Sequence, residues 1–145
     1  MNKLNWWPLA NSLVEFLKKQ NDILDAPVFD GVNIYAGTRA TGKSYPCIEV
    51  TFDSENDAAG DRALTTLWVD ILLKSNSPIP SDAYELLFKY QTEFMNLLPL
   101  WIKWAKKEIG IAAIVKVPSV MSDGDVQRPV CQSRIVLEIE WRNSI

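Results

Sequence analysis

Histidine is absent from the 145 residues, and that one absence removes a large part of enzyme chemistry. Imidazole general bases, Ser-His-Asp and Cys-His nucleophile pairs and histidine-ligated zinc are all excluded. Cysteine is scarce as well: Cys47 and Cys131 stand far apart in the chain, form neither a CxxC pair nor a disulfide framework, and read as buried reduced thiols. Long hydrophobic runs are missing. The longest apolar stretch, Ile109 to Val115, contains Gly110 and falls far short of the roughly twenty residues that cross a bilayer. Near the start, Asn5, Pro8 and Asn11 interrupt Trp6, Trp7 and Leu9, so a secretion signal is not expected. Synthesis in the cytoplasm and no membrane partner are the corresponding expectations. Finally, 15 Lys and Arg against 18 Asp and Glu leave a formal charge of -3, too little positive field to hold a nucleic-acid backbone.

What is present suits a single soluble domain over residues 1–145, with 48% hydrophobic and 23% charged residues. Leu9, Leu13, Phe16 and Leu17 recur at helical spacing after Pro8, which predicts a helix over 8–19. A short strand is expected over Val32 to Ala36. Tyr45 to Phe52 alternates as a half-buried strand, with Ile48, Val50 and Phe52 on one face. The polar segment Asp53 to Asp61 reads as a solvated acidic loop leading to a further strand, Leu64 to Lys74, whose Leu67, Val69, Ile71 and Leu73 share a face. After SNSPIP (75–80), Asp82 and Glu85 resemble a capping box. Tyr84, Leu87, Phe88, Gln91, Phe94, Met95 and Leu98 then trace the stripe of a second helix. Pro99 is expected to kink or end it, with Leu100 to Lys107 adding a turn or two. Strands at Ile111 to Val117 and Val130 to Arg142 close the chain, the last placing Ile135, Leu137, Ile139 and Trp141 inward. The order α-β-β-β-α-β-β implies an α+β fold, a mostly antiparallel sheet with two main helices packed on it.

Gly37 to Ser44 spells GxxxxGKS, the phosphate-cradling loop in which backbone amides and a lysine hold the anion and a serine binds magnesium. Such a loop works because a helix begins at its GKS end and aims its amide dipoles at the phosphate. Here Pro46 follows, and Cys47 to Phe52 alternates as a strand. The segment therefore reads as a Gly-rich hairpin or mobile loop carrying two cations, Arg39 and Lys43, with Asp70, after Leu67-Trp68-Val69, the acid that would stand in for a magnesium holder. Asp53, Glu55 and Asp57 mimic the opening of a calcium loop, but Ala58 and Leu64 stand where Gly and the bidentate Glu are required. No cofactor, metal or catalytic residue is assigned, and the chain is not expected to be an enzyme. Of six tryptophans, Trp68 and Trp141 read as strand packing, and Trp101 and Trp104 as an inward-packed helix end with snorkelling lysines. Trp6 and Trp7 stand out as candidates for an intermolecular contact.

The Tyr45-Pro46-Cys47-Ile48-Glu49-Val50 strand entry follows an amphipathic helix, a short strand and a Gly-containing loop. An acidic segment, a long strand ending near Lys74, one strong helix and a final Ile135-x-Leu137-x-Ile139 strand come after it. This succession resembles the tail-terminator, or tail-completion, proteins of long-tailed bacteriophages over nearly the whole chain. The resemblance implies a structural virion protein made in the host cytoplasm. It would form a homo-oligomeric ring, commonly a hexamer, that caps the tail-tube protein, stops tube growth and presents a surface to the head-tail connector protein. DNA would be met only as it passes through a pore. Candidate interface residues are then Trp6, Trp7, Arg39, Lys43, Asp53, Glu55 and Asp57, the charged loops ordering on contact with the tube or the next subunit. Two other classes remain open: a non-enzymatic head-tail joining or baseplate adaptor, and a small nucleotide-binding protein using Gly37 to Ser44.

Overall fold

A computed structural model describes residues 6–24, 29, 31–38, 41–58, 60–122 and 129–143. Seven elements follow one another as α1 (Trp6–Leu24), β1 (Asn33–Ala36), β2 (Cys47–Asp57), β3 (Ala63–Lys74), α2 (Pro80–Ile109), β4 (Ile111–Ser122) and β5 (Val130–Asn143). The strands form one five-stranded mixed sheet in the order β1-β2-β3-β5-β4, antiparallel except for the β1–β2 pair. The α+β class and the expected element order are therefore correct.

Period-two alternation decides which side of the sheet is core. Leu67, Val69 and Ile71 of β3 stand opposite Leu137, Ile135 and Ser133 of β5, and Ile48 and Val50 of β2 opposite Ile71 and Val69. Both helices cover this face. The amphipathic α1 contributes Leu9, Leu13, Phe16 and Leu17, and α2 contributes Ala83, Leu87, Phe94, Leu98, Trp101 and Ala105 to one continuous cluster. The indole N–H of Trp101 donates to the Ser12 hydroxyl at 3.1 Å, so the polar end of a fully buried ring is satisfied across the two helices.

Four expectations need correction. The strand of 45–52 does not stop at Phe52: β2 runs on to Asp57, so Asp53, Glu55 and Asp57 belong to a strand and the link to β3 is short. A bulge between Phe52 and Ser54 absorbs the irregularity, and ladder bonds to β3 outweigh the poor strand propensity of Asp and Asn. The second helix starts at Pro80 with Ile79 as its N-cap, and no side chain caps it. Asp82 instead accepts a hydrogen bond from the Ser77 hydroxyl (2.7 Å), which itself accepts from the Ile79 N–H (3.2 Å). Pro99 does not end α2, which spans 30 residues and runs on past it to Ile109. Phe88 does not face the core; it is 68% exposed, and Tyr84 and Met95 are exposed beside it, one flank away from the buried line.

Candidate functional site

The GxxxxGKS segment lies in the connection between β1 and β2. Because these strands pair in parallel, Asn33 beside Cys47 and Ala36 beside Val50, the connection is not a hairpin but a strap that returns along the sheet. Gly37 and Gly42 adopt positive φ, 85° and 70°, so the first and second glycines of the motif serve left-handed backbone positions. The Tyr45–Pro46 bond is cis, and β2 begins directly after it, so no helix follows the GKS end.

Two of the groups that a phosphate loop turns toward its anion, the Ser44 N–H and the Lys43 ammonium, are engaged within the protein. The Ser44 N–H donates to the Tyr35 hydroxyl (3.3 Å), and the Asn33 amide donates to the Ser44 carbonyl (3.2 Å). Lys43 Nζ lies 3.2 Å from Glu49, whose side chain is 3% exposed. Asp70, the candidate magnesium acid, accepts two bonds from Arg134, at 2.8 Å from Nε and 3.1 Å from Nη2. That guanidinium also rests over the Trp68 ring, 4.1 Å from its centroid.

These residues form a row on the sheet face opposite the helices. Glu49 stands directly opposite Asp70, and Asp70 directly opposite Arg134, with Lys43 reaching in from the strap. A polar cleft of about 350 Å³ remains between strap and sheet, lined in part by Thr38, Lys43, Tyr45, Gln132 and Arg134. Among the described residues its two cations, Lys43 and Arg134, are matched by two carboxylates, Glu49 and Asp70. Cys47 is buried beside it. Burial first, and then neighbouring Glu49, push the thiol up to about 11, with Lys43 pulling the other way, so the nucleophilic thiolate is suppressed.

The remaining sequence candidates scatter. Trp6 stacks on Phe52 (centroids 4.1 Å, planes 16° apart), so one of the two N-terminal indoles has an intramolecular role that the sequence did not indicate. Trp7, edge-on to Trp6, is 51% exposed. Arg39 lies outside the described residues. Asp53 and Asp57 are exposed on β2, whereas Glu55 is half-buried and accepts the Thr65 hydroxyl (2.8 Å), which accepts the Trp141 indole N–H (2.9 Å). The three acids are thus strung along a strand rather than gathered. Among the described residues no group of acidic or thiol side chains is placed to hold a metal ion, and no helix is long and apolar enough to cross a membrane. The sequence reading missed Glu49, Asp70 and Arg134 as a set. Its one usable signal was a charged residue at alternate positions within three otherwise apolar strands. Comparison with known proteins gives no matching family model and no matching curated protein.

Proposed function

We propose that this chain is the subunit of a virion assembly ring, a tail terminator that caps the tail tube, halts its growth and offers a surface for head attachment. The observation that carries the reading is the distribution of exposed large apolar side chains over separate parts of the surface. Trp7 lies at the start of α1 and Phe52 midway along β2, Tyr84 and Phe88 on the outer flank of α2, and Ile114 and Met121 on β4. A subunit that touches two neighbours, a tube and a connector needs several such surfaces, whereas a monomer keeps contiguous apolar exposure small. The α-β-β-β-α-β-β order on a five-stranded sheet supports it too, since it is the succession on which the resemblance rests. So does the internal engagement of the GKS groups, which leaves the motif with a structural task. On this reading the partners are further copies of the chain in a ring, commonly of six, the tail-tube protein and the head-tail connector.

Disrupting the gene in its own genome tests the proposal. Electron microscopy of lysates is expected to show tail tubes of uncontrolled length without attached heads, and the plasmid-borne gene restores normal particles. Tails of normal length carrying heads in the disrupted strain would overturn it. Headless tails of normal length would instead indicate a joining adaptor.

A further inference from the structure

We infer that copies of this chain join edge to edge and head to tail, the first half of β4 in one copy pairing antiparallel with the free stretch of β2, Thr51–Asp57, in the next. The inference rests on the ring reading for its partner, a second copy, and names the surfaces that meet.

The sheet has two unequal edges. β1 pairs only with Cys47–Val50, so among the described residues the rest of β2 is itself an edge. On the opposite side, among the described residues, β4 pairs only with β5. Three successive antiparallel pairings, β2–β3, β3–β5 and β5–β4, make β4 run opposite to β2. A second copy set beside the first in the same orientation therefore presents its β2 antiparallel to the first copy's β4. Repetition of that step is the heterologous contact from which closed rings are built. The heights also agree. Register runs from Asp57 through Ala63 and Trp141 to Ala113, and from Glu55 through Thr65 and Ile139 to Val115, so the two free stretches lie level across the sheet.

Edge strands in lone domains carry charges, prolines or bulges that block pairing. On β4 these devices are confined to the second half, with Pro118 and a bulge between Lys116 and Ser119. The first half, Ile111 to Val115, has no charged residue, and Ile114 is 57% exposed. On β2 the bulge between Phe52 and Ser54 sits at the start of the free stretch, leaving Ser54–Asp57 regular, and the further device is acidity: Asp53, Glu55 and Asp57 repel a second β2 and favour a basic partner. The β4 end supplies one. Lys103, Lys106 and Lys107 are exposed in the last turns of α2, which passes through Gly110 straight into Ile111, and Lys116 is exposed on β4 itself. Of the neighbouring acids, Glu140 is paired with Arg62, Glu138 stands opposite Lys116, and exposed Glu108 offsets one of the lysines, leaving the end basic. Like charge thus disfavours a two-fold β2–β2 dimer, while opposite charge favours the head-to-tail step. Exposed Trp7, beside the Trp6–Phe52 stack, gives the acidic edge an aromatic side chain to bury.

The test uses two surface variants of the full chain, Asp53→Lys/Asp57→Lys and Lys107→Glu/Lys116→Glu, with folding checked by circular dichroism and mass in solution followed by light scattering at low salt. Wild type is expected to form an oligomer, and each variant alone to associate at least about tenfold more weakly. An equimolar mixture is expected to recover assembly, because every contact in an alternating ring is again between opposite charges. Variants that assemble like wild type would overturn the edge pairing and leave the ring reading intact. A wild-type chain that stays monomeric at every concentration, with or without tail tubes, would overturn both.

Discussion

Two carboxylates face each other directly across the β2–β3 ladder, Glu49 opposite Asp70, both almost fully buried. Neither is tolerable there alone, and each has its own cation: Lys43 from the strap, and Arg134 from β5, held by two hydrogen bonds and the face of Trp68. Arg134→Ala strands the Asp70 charge, and urea titration is expected to show a loss of about 3 kcal/mol. Arg134→Lys is expected to recover only part of it, since an ammonium supplies neither the fork nor the stacking. Lys43→Ala is expected to lower stability by about 2 kcal/mol while leaving calorimetric titration with magnesium ATP as featureless as in wild type, because the lysine serves Glu49. The Cys47 thiol adds a pH dependence. Its value rises from 9.0 to about 11 on folding, so its contribution to stability is complete below pH 9 and lost as pH climbs toward 11. Urea-unfolding free energies of wild type should therefore fall more steeply than those of Cys47→Ala between pH 9 and 11; parallel curves would contradict this.

At the scale of elements, regular alternation made β3 and β5 readable, because a strand with one face on a core repeats its apolar residues every second position. The tail of β2 was not readable. Asp53-Ser54-Glu55-Asn56-Asp57 has the composition of a loop, and only pairing with β3, a tertiary fact, holds it extended. The parallel β1–β2 pairing was equally hidden, since two strands joined by a Gly-rich segment look like a hairpin from the chain alone. In α2, Tyr84, Phe88 and Met95 repeat at helical spacing one flank away from the buried line through Leu87, Phe94 and Trp101, so periodicity placed two adjacent stripes on one face. Pro99 reads from the sequence as a kink or an end, with a further turn or two after it. It sits on the exposed side, where water can take the carbonyl its missing N–H leaves unbonded, and Trp101 and Ala105 beyond it still bury themselves. Single charges within apolar strands were visible, but their meeting in a row was not, because Asp70 and Arg134 lie 64 positions apart. The turn from α2 into β4 depends on one residue, Gly110, at φ 66° and ψ 39°. Gly110→Ala puts a Cβ in the left-handed region and is expected to cost about 1 kcal/mol, read from the midpoint of urea unfolding.

For the molecule as a whole, the organisation of the sheet decides how it comes apart. β2–β3 and β4–β5 are each adjacent in sequence, but the pairing that joins them, β3 with β5, links Ala63–Lys74 to Val130–Trp141 across the whole length of α2. A single hydrophobic cluster then runs through both helices and all five strands, without a seam along which one half could separate. Six tryptophans report on different parts of it: Trp101 sits between α1 and α2, Trp141 in the β3–β5 core, and Trp68 under Arg134 on the opposite face. Tryptophan fluorescence and far-ultraviolet circular dichroism are accordingly expected to lose their native signals at one common denaturant midpoint. Separate midpoints, with helical signal lost before the Trp141 environment, would show that α1 and α2 form a unit weaker than the sheet. If copies assemble as inferred, that common midpoint also rises with protein concentration, because the associated state draws only on folded chains. Charge reversal on β2 or β4 should abolish the concentration dependence while leaving the dilute-solution midpoint in place, which separates the stability of the subunit from the stability of the ring.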